Sequence, residues 1–177
     1  FGCLALVLCL LVALFEVLAP VVISVFAPGF LRDPHRYALA VHLLRWTSPY
    51  ILLISLTAMC GGILNTYGRF GLPAFAPVML NVALISVAVL WAPHVHTPIF
   101  VLGFGVLIGG VLQLVMQFPA LSRIGLLPRC RLGFSDPSVK RVLKLMVPAL
   151  FGVSVAQLSL LIDNWFASFL PAGSISW

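Results

Sequence analysis

The chain has 177 residues, of which 62% are hydrophobic and 8% charged, with a net charge of +6. About a quarter of the residues in an ordinary globular domain are charged, so this composition excludes a soluble single domain. The positive balance does not point to nucleic acid either, because no basic helix and no interleaving of basic with aromatic residues is present.

Almost all charges fall in the breaks between five long apolar runs. The first run, Phe1 to Ala27, holds one charge, Glu16. It starts in mid-helix without a preceding basic segment, which reads as an internal excerpt of a longer protein rather than a signal peptide. The runs Trp46 to Gly68, Phe70 to Pro98 and Ile99 to Ser122 hold no charge, and Leu145 to Trp177 holds only Asp163. A bilayer core of about 30 Å needs roughly 20 apolar residues, and each run reaches that length. The fold class is therefore all-α, a polytopic bundle with five membrane-spanning helices.

Punctuation between the runs is specific. Ala27-Pro28-Gly29-Phe30 ends the first span, since Pro lacks a donor and Gly permits positive φ. In the polar break that follows, Tyr37, Ala40, Val41 and Leu44 recur at helical spacing and predict an interfacial lead-in, with Pro49 a kink or entry point. Pro73 and Pro77 fall in the third span, where local adjustment must satisfy the freed carbonyls. Gly103, Gly105, Gly109 and Gly110 on the fourth predict close helix packing. The longest break, Arg123 to Lys144, is the best boundary, and Val139 to Leu145 alternates basic and apolar residues as a surface-lying stretch would.

Basic residues are retained on the cytoplasmic side of a membrane. Arg69, Arg123, Arg129, Arg131, Lys140, Arg141 and Lys144 share one side, against Arg32, Arg36 and Arg45 on the other. This places the Arg69 and Arg123-to-Lys144 breaks inside and His94 outside, and it accounts for the basic balance.

Two intramembrane carboxylates carry functional weight. Glu16 is ten residues before Phe26, about 15 Å from the outer boundary, near the midplane. It reads as a proton- or cation-linked carboxylate or as a hydrogen-bonded side chain facing the bundle interior. Asp163 lies nineteen residues after Lys144, about 28 Å along a helix. Gln157, Ser159 and Asn164 are near it in sequence, with Ser159 alone at i−4, and oxygen-rich surroundings suit a hard cation such as Na⁺. The alternative is a structural Asp at an interface or cavity. His94-Val-His96 reads as incidental loop histidines, and Cys3, Cys9, Cys60 and Cys130 lack metal-site spacing and read as packing residues. No catalytic triad, paired carboxylates or phosphate loop appears, which disfavours an enzyme.

The segment Ile63-Leu-Asn65-Thr-Tyr-Gly-Arg69-Phe70-Gly-Leu-Pro73-Ala74-Phe-Ala-Pro77-Val-Met-Leu80-Asn81 resembles the MurJ (MviN) lipid II flippases. Ala27 to Phe30, Gly110 to Leu114, Gly152 to Gln157, and Phe166 to Leu170 through Trp177 extend the likeness over the whole chain. The resemblance implies a transporter of two helical lobes about a central cavity. It places residues 1–122 in the first lobe as four spans, 123–144 in a cytoplasmic inter-lobe linker and 145–177 in the first helix of the second lobe. The implied function is flipping lipid II, the lipid-linked peptidoglycan precursor, across the bacterial inner membrane by alternating access. Asn65 and Arg69 match the family motif as substrate or cavity candidates, with topology and capping as their alternative roles; Glu16 is a third candidate without a family role. Asp163 falls where a sodium ligand is implied, so Na⁺ is the one cofactor admitted. Implied partners are lipid II, membrane lipid and cell-wall synthesis proteins. A related oligosaccharide-lipid flippase or cation-coupled antiporter is the alternative, followed by a glycolipid enzyme or a scaffold.

Overall fold

The computed structural model describes residues 1–95, 97–127 and 137–167, and every regular element among them is helical. In order they are α1 (Gly2–Phe26), a 3-10 turn (Pro28–Arg32), α2 (Pro34–Thr47), α3 (Pro49–Thr66), α4 (Gly71–Leu90), a second 3-10 turn (Ala92–His94), α5 (Pro98–Val115), α6 (Phe118–Arg123) and α7 (Pro137–Ala167). Among the described residues, four stretches are long and apolar enough to cross a membrane: Gly2–Phe26, Pro34–Thr66, Gly71–His94 and Pro98–Arg123. The chain is thus an all-α membrane protein. The fifth expected span, Leu145 to Trp177, overlaps α7, which is not one of these four; α7 begins at Pro137, so Lys140, Arg141 and Lys144 lie on its first turns, and residues 168–177 lie outside the described ones.

Two departures from the apolar-run reading have local causes. The fourth run is interrupted at Met116–Gln117, because Pro119 has no N–H for the Val115 carbonyl and a new short helix starts there. The polar break after Phe30 is helical from Pro34 onward, so Arg45 belongs to a helix and not to a loop. Asp33 starts that helix: its Oδ1 accepts from the backbone N–H groups of His35 (3.0 Å) and Arg36 (3.3 Å), and Pro34 follows as a pre-set first residue. Asp33 Oδ2 also pairs with Arg36 Nε at 3.1 Å.

The chain divides into two compact units. One comprises Phe1–Glu16 and Leu43–Arg131, the other Val17–His42 and Leu132–Trp177. In the first unit, α5 packs against both α4 and α3. Adjacent glycines make this approach close. A Cβ on Gly109 would lie 2.7 Å from Leu80 Cδ1 and 3.0 Å from Leu80 Cα on α4, and one on Gly110 would lie 2.9 Å from Tyr50 Cδ2 on α3. Cys60, Leu64, Ala120 and Leu121 form a buried cluster joining α3 to α6. Near the opposite end, Phe104 stacks obliquely on Trp46 at 4.8 Å and on Trp91 at 5.9 Å. In the second unit, Tyr37 Oη donates to the Pro20 carbonyl at 2.9 Å, and Ser24 Oγ donates to the same oxygen at 2.8 Å.

Cys9 is an exposed free thiol, and Cys60 is a free thiol fully buried in the α3–α6 cluster. Cys130 and His96 lie outside the described residues, as do Arg129 and Arg131.

Candidate functional site

Thr57, Gly61 and Asn65 recur every four residues and therefore share one face of α3. Gln113, on the last turn of α5, and Gln117, in the break before α6, are again four residues apart. Together with Pro73 and Pro77 of α4 they line a cleft of about 350 Å³. The cleft is polar where its walls are deepest. Thr57, Gln113 and Gln117 are 4%, 2% and 1% exposed, and Thr57 Oγ1, Gln113 Oε1 and both polar atoms of the Gln117 amide are buried without a hydrogen-bond partner. In a hydrocarbon setting each such group costs several kcal/mol.

Helical hydroxyls ordinarily avoid this cost by bonding their own backbone. Ser24, Thr47, Thr66 and Ser154 do so, each donating to the carbonyl four residues earlier at 2.7–2.9 Å. Thr57 does not. Gly61 keeps the cleft open: a Cβ there would lie 3.3 Å from Pro73 Cβ and 3.7 Å from Gln117 Oε1. Pro77 withholds a donor from the Pro73 carbonyl, adding an acceptor to the same wall.

Of the residues singled out from sequence, Asn65 lines this cleft and Arg69 does not. Their backbones share a second task. Gly68 has φ +73°, its N–H bonds the Asn65 carbonyl at 3.0 Å, and the Arg69 N–H bonds the Leu64 carbonyl at 2.9 Å. This is a Schellman closure of α3. The end of α6 repeats it, with Gly125 at φ +70°, Gly125 N–H to Ser122 O at 3.0 Å and Leu126 N–H to Leu121 O at 3.0 Å. A wider recess of about 590 Å³ lies between the two closures, lined by Thr66, Tyr67, Gly125 and Leu126 among others.

Glu16 lies apart from the cleft lining, in a hydrogen-bonded corner. Pro20 has no N–H to give the Glu16 carbonyl, and Arg45 Nε donates to that oxygen at 3.1 Å. Pro49 likewise leaves the Arg45 carbonyl without its helical donor, and Ser48 Oγ approaches that oxygen at 3.1 Å. The same hydroxyl is 2.8 Å from Glu16 Oε1. Each carbonyl vacated by a proline thus has a polar side chain within reach, and the single Ser48 proton is shared between the Arg45 carbonyl and Glu16 Oε1.

Asp163 is exposed on α7, as is Gln157. The side chains of Ser159 and Asn164 lie outside the described residues. Among the described residues, no group of three His, Cys, Asp or Glu side chains is placed to hold a metal. Asp163 offers one carboxylate, and these residues alone do not make a sodium coordination shell.

The polar groups that apolar-run counting missed, Thr57, Gln113 and Gln117, are neutral and so do not register when a run is scored by its charges. Only their four-residue spacing signals them.

The family model described as "Lipid II flippase MurJ" matches residues 1–177. The chain belongs to the MurJ lipid II flippase family. It is 48% identical over 160 residues to the lipid II flippase MurJ of Burkholderia cenocepacia, covering 88% of this chain and 31% of that protein. It is 41% identical over 166 residues to the probable lipid II flippase MurJ of Haemophilus influenzae (90% and 32%). A third relative, from Vibrio cholerae, is 46% identical over 142 residues (80% and 27%). The chain therefore spans about a third of the length of these relatives. All three carry the name of a transporter rather than an enzyme.

Proposed function

We propose that this chain is a segment of a transporter, not an enzyme, that moves lipid II across the bacterial inner membrane by alternating access. The observation that supports it is the family match over residues 1–177, on a chain whose helices suit a bilayer. In this reading residues 1–122 belong to the first lobe, 123–144 to the inter-lobe linker and 145–177 to the second lobe. Asn65 faces the polar cleft, whereas Arg69 serves topology and capping at the inner surface. Glu16 holds α1 to the α2–α3 junction, and Asp163 contributes one ligand to a sodium site completed by helices beyond this chain. Cell-wall synthesis proteins are the natural partners of such a transporter.

The test is complementation. A full-length gene carrying this segment should sustain a bacterium depleted of its own lipid II flippase and restore lipid II at the outer surface. An expressed, membrane-inserted protein that leaves external lipid II unchanged would overturn the reading.

A further inference from the structure

We propose that the cleft between α3, α4 and the Gln113–Gln117 pair is a subsite for the hydroxyl- and amide-bearing part of the transported head group. The inference rests on the flippase reading and adds a place of contact within this segment. Three features carry it: the volume of about 350 Å³, the unpartnered polar atoms in its wall, and the absence of any charged side chain from its lining among the described residues.

The donor set chooses among ligands. A bare cation would use the oxygens of Thr57, Gln113 and Gln117 but would leave the Gln117 Nε2 donor facing a positive charge. An anion such as a diphosphate would meet no Lys or Arg here, where phosphate recognition wants a charged fork. A neutral group that both donates and accepts satisfies Thr57 Oγ1, Gln113 Oε1 and the two ends of the Gln117 amide together. Sugar hydroxyls and amides have this character, and so has water. The volume is at the small end of ligand sites, enough for one ring and too small for the whole head. Asn65, exposed at the end of the same α3 face, adds a further amide toward the mouth.

The experiment uses the full-length protein in lipid nanodiscs, comparing wild type with the triple variant Thr57→Val, Gln113→Met, Gln117→Met. Binding of lipid II and of undecaprenyl diphosphate, which lacks sugar and peptide, is read by thermal shift. Because the replaced groups are unpartnered, the ligand-free variant should melt no lower than wild type. Its apparent affinity for lipid II should fall by roughly tenfold or more, as expected when several hydrogen bonds are lost. Its affinity for undecaprenyl diphosphate should not change. If the triple variant does not fold, Gln117→Met alone should show the same selective loss to a lesser degree. Unchanged lipid II affinity would mean that the cleft holds water only and would overturn the inference, leaving the flippase reading intact. Equal loss of both ligands would overturn it too, since the cleft would not be reading the head. A wild-type protein that responds to neither ligand would overturn the flippase reading and this inference with it.

Discussion

Arg45 Nε donates to the backbone carbonyl of Glu16 at 3.1 Å, the one acceptor on α1 from which Pro20 withholds a helical N–H. The arginine thereby replaces a missing backbone donor. Arg45→Ala should destabilise the protein by about 1–3 kcal/mol, the cost of orphaning a half-buried acceptor within the span. In a Pro20→Ala background the backbone supplies the bond, so the same substitution should cost distinctly less. A double-mutant cycle on melting free energies checks this, and simple additivity would contradict it.

Ser48 connects the same two residues through its hydroxyl, 2% exposed and within reach of both Glu16 Oε1 and the Arg45 carbonyl. Ser48→Ala should lower stability by about 1 kcal/mol or more, since it removes both contacts. Glu16→Gln should be mild because an amide still reaches the hydroxyl, whereas Glu16→Leu should resemble Ser48→Ala. Thermal melts of the three variants give the ranking.

Glycine at the α4–α5 contact makes a separate prediction. Gly109→Ala forces a Cβ against both the Leu80 side chain and its Cα, and should cost roughly 1–3 kcal/mol of overpacking. Gly62→Ala meets nothing within 4 Å and should be neutral or slightly stabilising. A melting comparison in one detergent separates the two.

Orientation is checked by labelling. A cysteine at Arg69 should be protected from an impermeant thiol reagent in intact cells, while one at His94 should react. The basis is the excess of Lys and Arg on one side of the breaks between apolar runs. Reaction at Arg69 from outside would reverse the assignment.

Asp163→Asn should weaken stabilisation of the full-length protein by Na⁺ relative to choline at equal ionic strength, because the amide gives the ion a neutral oxygen. Asp163→Ala should weaken it at least as much. A sodium response identical to wild type would make Asp163 a structural residue.

Sequence showed the helices where Gly and Pro dictate the backbone. Ala27-Pro28, Gly68 and Pro98 mark real helix ends because their conformational demands are local. The break at Pro119 escaped because the residues around it are as apolar as a continuous span. Arg45 looked like a loop charge because its partner, a carbonyl twenty-nine residues earlier, leaves no trace in hydropathy. The cleft was half legible: Asn65 stood out in the family motif, but Thr57 and the two glutamines gain meaning only when α3 and α5 come together.

The Arg45–Glu16 bond also bears on how the protein is made. A guanidinium entering the bilayer alone is penalised by a few kcal/mol on translocon scales. Synthesis delivers α1 first, with a carbonyl already stripped of its donor by Pro20 and a carboxyl on the same residue. When the Pro34–Thr66 helix emerges, its arginine finds that receptor waiting. The two segments are therefore suited to partition into lipid as a pair, with Pro20 leaving open the acceptor that Arg45 fills.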